Sequence, residues 1–537
     1  MVVTQTLGPA VSLAATLAEA AVRFGDAPAV VRWDDEPLGY AGWWQQALAV
    51  ARWMARRGVS EGDRVSLVLP SGLEYLVAYA AASALGAVTA GVNPSLAPAE
   101  RVALVELVDP VLVVSDPTLT DGLPADRNVE LVTPCEPGRA PWAAQLEADR
   151  CAFQGGGVAG PPPLDGAPQP LPGRAAALVF TSGTTGLPKA ARFTEGALSA
   201  VAALDLGAIA HRWGGGGPMF VSTQFAHVGL MTKLPWYLRT GTRLHLVNRW
   251  RADDVLELVA RERMGVIGAV APQVALMLRS AQMDALDLSA VNLLIVGGAA
   301  SPTPLVREAR ERFAAGYTIR YSSTETGGCG LATPPWPEHP GDDRTIGRPR
   351  PGIEASIRDD DGAEVPDDSL GELWIRTPSA MSGYWEAPEA TAVALSDGWV
   401  RTGDLAVREP ATPERPGRYR LAGRRGDMYI RGGYNVFPAE VEAVLADHPA
   451  VAQVAVVPRV DEVMGEVGVA VVVPRPGLAA PTLESLRRHG EALIARYKLP
   501  EAMIMLEALP LGTTGKVDRR LLIELGGRPD RREGSGA

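Results

Sequence analysis

The sequence predicts an α/β protein, with a large N-terminal region of several sheets and flanking helices followed by a small α+β region. Three observations carry this. Short Val/Leu runs, VSLVLP (65–70) and VLVVS (111–115), alternate with helical spacing over residues 63–117, the pattern of βα units and a mainly parallel sheet. The alternation resumes at residue 175 and continues to about 330. The tail then changes character: AQVAVVP (452–458) and VGVAVVVP (467–474) precede LESLRRHGEALIARY (483–497), two strand runs and a helix.

Taken in order, residues 10–60 read as helix, strand and helix with Ala-rich amphipathic spacing. Tyr75–Val92 is the longest uncharged apolar run and just reaches membrane-span length. Its Ala and Gly content, two Tyr, a Ser and a Thr favour a buried helix followed by a strand. Residues 154–173 are dense in Gly and Pro and read as a flexible connector. A strand at 175–180 runs straight into TSGTTGLPK (181–189). Beyond a Pro-rich loop (333–343), ELWIR (372–376) is strand-like, and 438–447 is a helix with Pro438 near its start. The last dozen residues read as frayed.

The totals exclude several classes. A length of 537 predicts two to four domains, or one large domain and a small one. The net charge of −11 argues against a broad nucleic-acid or anionic-membrane surface, while leaving room for local phosphate pockets. Cys135, Cys151 and Cys329 form no C-x-x-C and the six histidines no H-x-x-x-H, so neither a disulfide framework nor a zinc cage is expected. The N-terminus lacks a basic n-region and Glu19 interrupts its apolar stretch, so no signal peptide and a cytoplasmic location are expected. Of 51 basic residues only Lys189, Lys233, Lys498 and Lys516 are lysines. Codon bias explains the excess of arginine; a retained lysine marks a place where a compact ammonium is needed.

The strongest local signal is Thr181-Ser182-Gly183-Thr184-Thr185-Gly186-Leu187-Pro188-Lys189. Its glycines admit an anion close to the backbone, its hydroxyls and N–H groups donate to phosphate oxygens, and Lys189 adds a point charge. It is not a Walker A loop, since the lysine comes three residues after Gly186 and Ala190 follows. LVFTSGTTGLPKAA (178–191) resembles the signature loop of the adenylate-forming (AMP-binding) superfamily, which holds acyl-CoA synthetases, nonribosomal peptide adenylation domains and firefly-type luciferases. Further family-like segments follow in the family's order, so the resemblance covers essentially the whole chain.

The resemblance implies roles residue by residue. Arg320-Tyr321-Ser322-Ser323-Thr324-Glu325 resembles the Y-G-x-T-E segment, in which the aromatic stacks on adenine and Thr324 and Glu325 face the triphosphate and its Mg²⁺, with Glu325 as metal ligand. Ser322 and Arg320 depart from it, each standing where glycine is frequent. Asp404, in Thr402-Gly403-Asp404, is implied to hold the ribose hydroxyls, and Arg424 to contact the nucleotide. Gly298 and Ala299 belong with the ATP/AMP-binding residues. Lys516, in Leu509-Pro510-Leu511-Gly512-Thr513-Thr514-Gly515-Lys516, resembles the terminal catalytic lysine. His227 resembles the family's aromatic/His segment, as a gate or a contact to the acyl carboxylate; a satisfied core histidine is the alternative. Lys498 falls in a small-domain segment with a structural role, and Lys233 matches no signature.

The implied architecture is an N-terminal AMP-binding domain (1–425) and a small mobile C-terminal domain (427–537) swinging about Gly426, with Gly432 and Gly433 lining a pantetheine tunnel. The implied acyl pocket comprises His227, Gly229, Gly268, Ala269, Gly298, Ser322, Ser323 and Gly328, with Gly327 and other small residues nearby. Small linings imply volume, hence a bulky, mostly apolar carboxylic acid. The implied reaction is acid adenylation by ATP with Mg²⁺, then transfer to coenzyme A. A carrier-protein thiol, an amine or a partner acyltransferase are alternative acceptors, an oxygenase or a non-catalytic binding protein are remoter readings, and a homodimer stays open. Neither nucleic acid nor membrane is an expected partner.

Overall fold

The structure is a computed structural model. It describes residues 12–527 other than 33–35, 125–126, 134–139, 154–167, 182–187, 222, 248, 299–300, 432–433, 492 and 513–515. Among the described residues the chain forms five sheets in a mixed α/β arrangement, as the alternating sequence pattern predicts.

The six-stranded sheet runs in the order Val129–Leu131, Leu112–Ser115, Arg64–Val68, Val88–Gly91, Ala175–Thr181 and Lys189–Thr194. All its pairings are parallel except the last, an antiparallel hairpin. Val65, Leu67, Ala90, Val113, Val114 and Leu178 are fully buried, which is why the strands read as near-continuous apolar runs rather than alternating ones. The long apolar run resolves into the helix Leu73–Ala84, buried along its whole length, and the strand Val88–Gly91. The segment 10–60 likewise gives Leu13–Phe24, Pro28–Arg32 and Tyr40–Arg56. Most of the Gly/Pro connector, and the last ten residues, lie outside the described residues.

A second sheet places Val266–Ala269, Leu293–Gly297 and Gly316–Tyr321 in parallel, with Leu331–Ala332 and Arg348–Pro349 added antiparallel. Thr181, Ala269, Gly297 and Tyr321 all stand at the carboxyl ends of parallel strands, where open α/β sheets bind ligands. An antiparallel sheet built on Leu370–Arg376 and Trp399–Glu409 ends in Arg418–Arg424 and brings Asp404 into register with Arg424.

Downstream, the hairpin Val451–Asp461/Gly465–Pro474 is extended by Ala502–Met505, parallel to its second strand. Val456, Val469, Val471, Val472, Leu486 and Leu522 are buried around it. The predicted helix at Pro438 spans Pro438–Leu445. The final helix, Arg519–Gly526, is capped by Asp518, whose side chain accepts from the Leu521 N–H, and this anchors the segment just after Lys516. Arg344–Asp447 (3.1 Å) and Arg475–Glu308 (3.9 Å) tie this C-terminal region to the rest. Among the described residues no helix is long and apolar enough to cross a membrane.

Candidate active site

Thr181 and Lys189 face each other as the last pair before the connection of the 175–194 hairpin, so the phosphate-type loop is that connection. Ser182, Gly183, Thr184, Thr185 and Gly186 lie outside the described residues. Residues 382–385 align along the second hairpin strand through Ser382 N–H to Arg192 O, Arg192 N–H to Gly383 O and Trp385 N–H to Ala190 O. This alignment delivers Tyr384, whose ring lies 5.3 Å from Lys189 Nζ. The Tyr384 hydroxyl donates to Glu325 Oε1 at 2.8 Å, and the Met381 N–H donates to the Glu325 carbonyl at 2.8 Å. Burial and the Glu325 carboxylate raise the Tyr384 pKa, so the hydroxyl stays a donor. Among the described residues no hydrogen bond engages Glu325 Oε2. A carboxylate with one oxygen anchored suits Mg²⁺, which takes one or two carboxylates plus phosphate oxygens.

Asp404 is divided between two partners. Tyr321 donates its hydroxyl to Oδ2, and Arg424 Nε donates to Oδ1 at 2.8 Å. The Asp404 N–H donates to Thr402 Oγ1, whose own hydroxyl donates to the Leu373 carbonyl. Burial and the Asp404 charge push the Tyr321 pKa well up. Tyr321, Asp404 and Arg424, far apart in the chain, are therefore brought into one contact set.

His227 caps the short helix Val228–Met231, and its Nε2 lies 3.1 Å from Asn93 Nδ2. Asn93 Oδ1 accepts from the Ser95 N–H, which orients the amide so that Nδ2 donates to His227 Nε2 and the ring proton sits on Nδ1. Burial, aided by repulsion from Lys516, lowers the His227 pKa to about 4, so the ring is neutral near pH 7. His227 is half-buried and is repelled by the Lys516 ammonium.

Lys516 arrives from the C-terminal region on a loop closed by Gly512 N–H to Lys516 O (2.7 Å) and a Leu511–Val517 bridge. Thr513, Thr514 and Gly515 lie outside the described residues. The residue as a whole is exposed, but its side chain extends over the cleft: a Cβ placed on Gly298 would stand 3.6 Å from Lys516 Cε. Desolvation and Arg424 lower the ammonium pKa, and Asp404 and Glu325 oppose that shift. Gly298 itself has φ +76°, a left-handed conformation that favours glycine.

The small residues divide by what they face. A Cβ on Gly268 would meet nothing within 4 Å, so open space lies beside it, and Ala269 follows it on the same strand end. Gly229 faces the Thr223 side chain at 3.4 Å. Gly327 corrects the volume argument: a Cβ there would lie 2.4 Å from the Ser379 carbonyl, so its smallness serves backbone packing. Ser323 and Thr326 bond each other's N–H groups and close the turn that follows Ser322 and contains Thr324. Ala299, Gly432 and Gly433 lie outside the described residues. Gly426 sits in the short turn Arg425–Asp427 with open space around it.

Lys233 acquires a place that sequence reasoning missed. Its Nζ donates to Asp205 Oδ2 (2.7 Å) and to the Gly328 carbonyl (3.2 Å), directly behind the implied acyl wall. Lys498 donates to both Glu440 oxygens at 2.7 Å, a tie within the C-terminal region. Tyr384, Asn93 and Asp205 carried no sequence signal, because each acts only through partners distant in the chain.

The chain matches the family model for AMP-binding enzymes over residues 17–385 and that for the AMP-binding enzyme C-terminal domain over 440–516. It belongs to the AMP-binding enzyme family, the adenylate-forming superfamily that its motifs resemble. It is 31% identical over 494 residues to an indoleacetate–CoA ligase of Aromatoleum aromaticum, covering 91% of this chain and 93% of that protein. It is 29% identical over 493 residues to a medium-chain fatty-acid–CoA ligase of Escherichia coli, covering 89% and 83%. Among solved structures, the amide bond synthetase McbA of Marinactinospora thermotolerans superposes with a TM-score of 0.78 at 26% identity, covering 95% of this chain and 99% of that one.

Proposed function

We propose that this chain is an AMP-forming acid–CoA ligase acting on a bulky, mostly apolar carboxylic acid in the cytoplasm. The observation that carries the reading is Lys516, which reaches over Gly298 toward the carboxylates Asp404 and Glu325. In the first half-reaction a substrate carboxylate oxygen attacks the α-phosphorus of ATP, pyrophosphate leaves and an acyl-adenylate forms. Charge builds on the non-bridging oxygens and the entering carboxylate, and the Lys516 ammonium stabilises both. Asp404, held by Tyr321 and Arg424, is oriented for the ribose hydroxyls. Glu325 and the 181–189 loop address the triphosphate; Glu325 would hold a Mg²⁺, which would supply charge neutralisation there. Neutral His227 admits the acyl carboxylate without adding charge.

In the second half-reaction the thiol of coenzyme A attacks the acyl carbon, AMP leaves and a thioester forms. The C-terminal region rotates about Gly426 for this step, withdrawing Lys516 and presenting the 432–433 segment. Open space around Gly426 is compatible with that swing. The likeness to an amide bond synthetase favours a second reading in which an amine takes the acyl group; a carrier-protein thiol or a partner acyltransferase are the other acceptors. ATP–pyrophosphate exchange across a panel of acids tests the first half, and best turnover with acetate or a free amino acid contradicts the bulky acid. AMP release that depends on free coenzyme A tests the acceptor.

A further inference from the structure

Three cations converge on one carboxylate behind the implied acyl wall. Asp205 Oδ2 is taken by Lys233 at 2.7 Å and Oδ1 by Arg350 at 2.8 Å. The third cation, Arg320, stands where the family's segment frequently has glycine, and its guanidinium reaches no closer than 3.9 Å to Asp205 Oδ1. Its Nε is buried without a hydrogen-bond partner among the described residues, yet the side chain is 31% exposed. Burial and repulsion from Arg350 both work against its charge. The group is thus shielded enough to require an anion and open enough to receive one. The buried Cys329 thiol, 3.5 Å from Lys233 Nζ, also acts on this cluster and is no substitute for a carboxylate. Arg320 follows Ile319 on a strand paired through Gly297, next to Gly298, and Lys233 lies against Gly328, so the cluster borders both sides of the acyl site.

Asp205 reaches Arg320 only at 3.9 Å. We propose that the anion that engages Arg320 directly is a second carboxylate at the far end of the substrate: an apolar body activated at one end and held through the other by Arg320. This inference rests on the acid-activating reading above and narrows its substrate class. A monoacid leaves the Arg320 guanidinium partly desolvated with only its long approach to Asp205, whereas a far-end carboxylate accepts a charge-assisted, bidentate pair.

The experiment uses the purified full chain with ATP and Mg²⁺, measuring pyrophosphate release for dicarboxylic acids and their monomethyl esters on alkyl, phenyl and indole scaffolds. The expected result is a kcat/KM for the diacid at least about tenfold above its monoester on the preferred scaffold, with the ratio falling toward one in Arg320→Gly and retained in part in Arg320→Lys. A mere packing role for Arg320 would not move that ratio. Equal or better turnover of the monoester in the unaltered chain overturns the inference while leaving acid activation standing, and so does a ratio unchanged in Arg320→Gly. No pyrophosphate release with any acid removes the underlying reading, and this inference with it.

Discussion

The Tyr384 hydroxyl donates to Glu325 Oε1 at 2.8 Å, joining a side chain aligned along the phosphate-loop hairpin to the carboxylate proposed to hold Mg²⁺. Tyr384→Phe leaves the ring over Lys189 and removes only this bond. A bond to a charged acceptor contributes about 1.5–3 kcal/mol. The variant is expected to need roughly tenfold or more Mg²⁺·ATP for half-maximal pyrophosphate exchange; an unchanged Mg²⁺ dependence contradicts the assignment.

His227 links pH to stability. Its pKa is depressed to about 4 from an ordinary 6.5, so the unfolded chain binds a proton there before the folded one does. Below pH 6.5 the unfolded state is favoured increasingly, and the loss is complete near pH 4. His227→Gln, which retains an acceptor for Asn93, should flatten the fall in urea midpoint between pH 6.5 and 4. An identical slope in the variant assigns the acid sensitivity elsewhere.

The Asp205 cluster predicts an asymmetry. Asp205→Asn leaves Lys233, Arg350 and Arg320 facing one another without an anion, whereas Lys233→Met leaves Asp205 with two cations. Removing the shared member of a buried ionic set costs about 3–5 kcal/mol. Urea unfolding should rank Asp205→Asn clearly below Lys233→Met, and equal losses would show that Lys233 is the central member.

Arg344–Asp447 holds the C-terminal region in the arrangement that places Lys516 over the cleft. Exposed pairs contribute about 0.2–1 kcal/mol. If the region rotates between half-reactions, Arg344→Ala shifts the balance toward the thioester step, raising the coenzyme A-dependent rate relative to pyrophosphate exchange by no more than about fivefold. A shift in the opposite direction argues against this pair as a latch.

Much of the fold was legible because its central strands are buried and rich in Val and Leu, so runs at 65–70, 111–115, 452–458 and 467–474 announce themselves. The residues now gathered near Asp404 were legible as motif segments, not as contacts: nothing local says that Tyr321 and Arg424 share one carboxylate. Small residues misled where backbone packing and pocket volume select the same side chain, as at Gly327. Lysine scarcity proved a partial guide. Lys189 and Lys516 lie in motif segments, whereas Lys233 and Lys498 are retained in ion pairs that only the folded chain reveals.

The central claim is that Lys516 stabilises charge in adenylation. ATP–pyrophosphate exchange in Lys516→Ala tests it most directly, beside thioester formation from preformed acyl-AMP in the same variant. The account predicts at least a hundredfold loss of exchange, the scale of removing a preorganised charge partner, with thioester formation retained; Lys516→Arg should also be impaired, since charge is kept and geometry is not. Exchange at an unaltered rate in Lys516→Ala would contradict it.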